Sequence, residues 1–67
     1  MNMSPYEIVI KKFGGVRPLA RLLDIAPSSV SQWKESGLIP AYRQQQIAKL
    51  AELHGVKLSY KNLVIGS

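Results

Sequence analysis

Glu7, Asp24, Glu35 and Glu52 are the four carboxylates of this chain, and their scatter leaves no evident pair for general acid and base work. No nucleophile pair and no phosphate-binding loop stands near them, so catalysis is not expected. His54 is the single histidine, and there is no cysteine, so neither a metal site nor a cofactor is expected. What remains is polar and basic. Ser28, Ser29 and Ser31 form a cluster that, taken alone, reads as a solvated helix face. Nine Lys and Arg against four Asp and Glu leave a formal charge of +5, which attracts polyanions without identifying one.

The 67 residues can build one hydrophobic core, so residues 1–67 are expected to form a single domain of modest stability. The absence of cysteine excludes disulfide staples and fits a reducing compartment. No basic stretch followed by an apolar run marks a secretory signal, and no apolar run approaches the ~20 residues that span a bilayer. A cytoplasmic location with no membrane partner is the expectation.

The elements that must carry these residues follow from caps and periodicity. Ser4-Pro5-Tyr6-Glu7 has the form of a capping box, Tyr6, Val9, Ile10 and Phe13 recur at helical spacing, and Gly14-Gly15 is a stop. This predicts a first helix over residues 5 to 13. A second is expected over 16 to 23, with Pro18 tolerated in its first turn and Leu19, Ala20 and Leu23 facing inward. Asp24 marks a sharp turn, and Pro27 opens a third helix that carries Val30 and Trp33 to about Lys34, where Ser36-Gly37 ends it. Ile39-Pro40 launches a fourth helix to about His54, with Ile47, Leu50, Ala51 and His54 on one stripe. After Gly55 the pattern is ambiguous: Val56, Leu58 and Tyr60 alternate as a strand would, whereas Ser59 before Tyr60-Lys61-Asn62-Leu63-Val64 suits a short capped helix. The helix is favoured, since a lone strand has no sheet to join unless a twin supplies one. The predicted class is all-α, with four to five short helices.

Leu19, Leu23, Ile25, Val30 and Trp33 are spaced as two short helices crossing at a tight turn require, with Ala20 small enough for close approach and Asp24 able to adopt a left-handed backbone. The stretch FGGVRPLARLLDIAPSSVSQWKE resembles the Cro and repressor family of temperate phages, which is lambda-repressor-like, and in particular the all-helical Cro repressors. It keeps the Phe-Gly opening, the alanine of the first motif helix and the run Val30-Ser31-Gln32-Trp33-Lys34-Glu35. Ile39-Pro40 and Arg43 also look like features of short prophage regulators and antitoxin-type relatives. The resemblance covers the first three quarters of the chain. Asp24 stands at the family's usual glycine and Val16 at its frequent phosphate-binding glutamine, a role left to Arg17 or Arg21.

The resemblance implies a helix-turn-helix that places the start of the third helix in the major groove of double-stranded DNA. Pro27, Ser28, Ser31 and Gln32 would then lie nearest the base edges, with Gln32 able to pair bidentately with adenine and Pro27 to meet a thymine methyl group. Arg17, Arg21, Ser29, Lys34, Tyr42, Arg43 and Gln44 would flank the sugar-phosphate backbone. One short helix reads too few bases against roughly 10⁶ to 10⁹ genomic sites. A homodimer on a pseudo-palindromic operator is therefore expected, with half-sites about 34 Å apart. Tyr60, Leu63, Val64 and Ile65 are candidates for the pairing surface. With no segment left for a sensor, promoter occlusion by a repressor in the nucleoid of a bacterial cell or phage-infected host is the expected mechanism. The alternative is an antitoxin that binds a toxin partner and regulates its own operon.

Overall fold

The computed structural model describes residues 2–66 and contains five α-helices and, among the described residues, no strand. Helix α1 spans Pro5–Phe13, α2 Val16–Leu23, α3 Pro27–Ser31, α4 Ala41–Leu53 and α5 Tyr60–Val64. A single 3₁₀ turn, Gln32–Lys34, continues α3. The all-α architecture is thus as expected, and the ambiguous tail is a helix.

Each boundary has a local cause. At α1 the Ser4 hydroxyl accepts from the Glu7 amide at 3.2 Å, while the Ser4 amide donates to the Glu7 carboxylate at 3.0 Å. Hydrogen bonding from Ser4 to the carboxylate, from its backbone foremost and then from its side chain, holds the Glu7 carboxyl below the usual carboxylate range. Gly14, left-handed at φ 89°, closes the helix. Ser59 and Asn62 repeat the reciprocal cap at α5, with both bonds at 3.2 Å.

Two boundaries differ from expectation. The third helix keeps α geometry only to Ser31 and then tightens, because a five-residue helix rich in serine, with no side-chain cap at Ala26, has little intrinsic hold on the wider winding. The fourth helix ends at Leu53, and His54 is a cap residue at φ −102° and ψ 8°. Its imidazole is exposed rather than part of the buried stripe, because the chain has left the helical path before it can turn inward.

The core sits where α1, α2, α3, the 3₁₀ turn, α4 and α5 converge. Val9, Leu19, Val30 and Ile47 are fully buried, joined by Tyr6, Ala20, Leu23, Trp33, Ile39 and Leu63. A fully buried aliphatic side chain of this kind contributes about 1.5 to 3 kcal/mol. Helix α5 packs against α1 and α4, and Leu63 is only 2% exposed. This corrects the expectation that Leu63 and Val64 are available for pairing. The tail finds core to join, Val64 packs against that core, and only Tyr60 and Ile65 of the four candidates stay exposed.

The loop after the 3₁₀ turn is fastened to the start of α1. The Gly37 carbonyl accepts from the Tyr6 amide at 3.0 Å, and the Gly37 amide donates to the Trp33 carbonyl at 2.9 Å. Gly37 has φ +75°, and a Cβ there would lie 2.9 Å from Ser4 Cβ. Both the backbone conformation and the close approach require glycine. Gly37→Ala is expected to destabilise the protein by at least about 1 kcal/mol from the left-handed penalty alone, read as a lowered midpoint in urea unfolding. An unchanged midpoint would show that this contact is loose.

Candidate nucleic-acid interface

Helices α2 and α3 meet at a corner that the chain turns through one residue. Asp24 adopts φ 58° and ψ 46°, the only positive φ among described residues other than glycine. The Asp24 amide donates to the Arg21 carbonyl at 3.2 Å and the Ile25 amide to the Ala20 carbonyl at 3.0 Å. This paired bonding satisfies the helix's last carbonyls and reverses the chain. Ala26 is extended at ψ 143°, as a residue before proline must be, and Pro27 starts α3 with its fixed φ.

Close approach of the two helices depends on Ala20, which is 1% exposed and has no side chain beyond Cβ to hold them apart. From the inner side of the second element Val30 and Trp33, three residues apart, enter the core. The Trp33 indole is therefore committed to packing and offers no stacking platform for single-stranded bases. Burial of this inner face fixes the outer one. Ser28, Ser31 and Gln32 are exposed and line one shallow, open depression. Pro27 is exposed at its edge of the helix, whereas Ser29 is half-buried.

The flanking residues distribute less uniformly. Arg17 and Arg21 are exposed one turn apart on α2. Lys34 is exposed on another side, beside Ser4, Glu7, Glu35 and Ser36 at the start of α1. Tyr42, 70% exposed, lies under the Arg43 guanidinium, whose Cζ is 4.9 Å from the ring centroid. Arg43 Nη1 donates to Gln46 Oε1 at 2.7 Å, and its buried Nε has no hydrogen-bond partner among the described residues. The guanidinium is thus held in one orientation by an amide and a ring. Gln44 turns inward, donating from Nε2 to the Ile39 carbonyl at 3.0 Å and lining a groove with Tyr60 and Leu63. The structure brings Ser28, Ser31 and Gln32 together, and it sets Lys34 and Gln44 on other faces.

One residue of the depression did not emerge from the sequence. Glu35 lines it together with the two serines and Gln32. The spacing of 28, 31, 32 and 35 follows one helical stripe and is the signal that points to it.

A tight two-helix corner whose second element shows hydroxyl and amide groups outward over an apolar floor defines a helix-turn-helix, the class that presents such a face to duplex DNA. Residues 6–56 match the family model described as DNA-binding transcriptional regulator Cro, and the chain belongs to that family. It is a DNA-binding transcriptional regulator of the Cro type. No curated protein matches the chain, and no solved structure does. No helix among the described residues is long and apolar enough to cross a membrane, and these residues hold no cluster of potential metal ligands.

Ala20→Leu is expected to force the two helices apart and destabilise the fold by about 1 to 3 kcal/mol, with duplex binding falling further than helix content measured by circular dichroism. Retention of full DNA affinity in this variant would show that the close crossing is dispensable.

Proposed function

We propose that the chain is a repressor that binds a pseudo-palindromic operator as a homodimer and excludes RNA polymerase from the promoter it covers. The observation that carries this reading is the polar outer face of α3 and its 3₁₀ extension, held over buried Val30 and Trp33 in a member of a DNA-binding regulator family. In this reading residues 1–67 act as one helix-turn-helix domain. Pro27, Ser28, Ser31 and Gln32 face base edges, and Gln32 is the principal reader because its amide matches the N6 and N7 edge of adenine.

Arg17, Arg21, Ser29, Lys34, Tyr42, Arg43 and Gln44 supply or support contacts to the sugar-phosphate backbone. Arg43 is the strongest of these, since stacking on Tyr42 and the bond to Gln46 reduce the freedom it would lose on binding. Gln44 contributes through the second hydrogen of its amide nitrogen, the first being donated to the Ile39 carbonyl. Dimerisation draws support from apolar side chains that the core leaves outside, Leu53, Tyr60 and Ile65 among them.

Selection of binding sites from random duplexes tests the reading. Gln32→Ala is expected to relax the choice at one position in each half-site, losing about 1 to 3 kcal/mol of discrimination there. Arg43→Ala is expected to weaken all sequences alike and to reduce the slope of log affinity against log salt by about one unit. Equal losses on every sequence for Gln32→Ala would remove it as a reader. A consensus without two-fold symmetry would remove the dimer.

A further inference from the structure

We propose that Glu35 determines specificity by requiring a cytosine at one position of each half-site. The inference rests on the DNA-binding face assigned above and deepens it. Its position, its lack of a partner and the chemistry of its neighbours together set an anion where a polyanion is expected to dock.

The first observation is position. In an α-helix a residue three places on falls about 60° short of its predecessor around the axis, so Glu35 would be offset from Gln32. Here Gln32–Lys34 wind as a 3₁₀ turn, with Glu35 following at φ −60° and ψ −48°. Residues three apart in that geometry eclipse one another. The tightened turn therefore carries Glu35 into line with Gln32, and both border the depression that holds Ser28 and Ser31.

The second observation is that Glu35 is free. Its side chain is exposed and has no hydrogen bond or ion pair with any described residue, although Lys34 is its neighbour in sequence. It stands between this depression and the one beside Lys34 at the start of α1, bordering both.

The third is the donor and acceptor inventory of the face. The hydroxyls of Ser28 and Ser31 and the amide of Gln32 can each both donate and accept, whereas an ionised carboxylate only accepts. Against phosphate it is repelled, so its favourable partner in the major groove is a base donor. Cytosine presents the N4 amino group with no acceptor of its own beside it, only the C5 hydrogen, while adenine sets the N7 acceptor beside its N6 donor. Guanine offers N7 and O6 and thymine offers O4, all acceptors that a carboxylate opposes. Glu35 thus selects cytosine by attraction and rejects guanine and thymine by repulsion, which is a sharper filter than the neighbouring hydroxyls provide.

The test compares the full-length protein with Glu35→Ala and Glu35→Gln in site selection from random duplexes, with thermal unfolding as the control for folding. The expected result is a cytosine at one position of the native consensus whose preference falls about tenfold in Glu35→Ala while every other position is retained. Glu35→Gln is expected to move that position toward adenine, which an amide matches at both edges. An unchanged consensus in Glu35→Ala overturns the proposal, whether or not overall affinity rises, and leaves the regulator reading standing. Failure of the native protein to select any duplex overturns the regulator reading itself and this proposal with it.

Discussion

The backbone of Asp24 is the constraint on which the rest of the molecule depends. A left-handed residue with a side chain costs on the order of 1 kcal/mol, and two hydrogen bonds to the end of α2 together with burial of Val30 and Trp33 beyond the corner offset it. Were this residue in an ordinary helical conformation, α2 would run on toward Ala26 and α3 would leave it in a direction that no longer folds back over the core. The side chains of residues 28 to 35 would then have no inner and outer side to be sorted between. The chemistry of the exposed face follows from a dihedral angle eleven residues or fewer away.

Two further ties keep that corner in place. Gly37 fastens the end of the 3₁₀ turn to the start of α1 through the Tyr6 amide, and α5 lays Leu63 into the core across α1 and α4. In a chain this small, where the buried fraction of the surface is low, each such tie matters more than it would in a larger domain. The segment from Pro27 to Gly37 is thus held at its start by α2, along its length by two core side chains, and at its end by α1.

Much of the fold was legible in the sequence because its signals are local. Ser4 with Glu7, Gly14 and Gly15, Asp24 and Pro27 each dictate a boundary through bonds spanning five residues or fewer, and the helices begin and end there. The misreadings were tertiary. Whether Leu63 belongs to the core depends on where α5 lies relative to α1, and no spacing within the tail states that. His54 fits the periodicity of α4 and yet leaves it, because the left-handed Gly55 terminates the helix first. For the polar face, Ser28, Ser31 and Gln32 could be placed by stripe. The change from α to 3₁₀ winding at Gln32 could not, so although the spacing puts Glu35 on the same stripe, its close alignment with Gln32 was hidden. Gln44 shows the same limit, since its bond to the Ile39 carbonyl belongs to the entry of α4 and not to a motif.

Helix α3 has five residues and no side-chain cap, far below the length at which a helix persists by itself in water. Its shape is therefore borrowed from the packed interior and vanishes when that interior opens. Conversely, any duplex that holds only the ordered form shifts the balance away from the opened form by mass action. Since cellular proteases cleave the opened chain, a molecule seated on its site is shielded and an idle one is exposed to turnover. Occupancy and lifetime are coupled through a helix too short to stand alone.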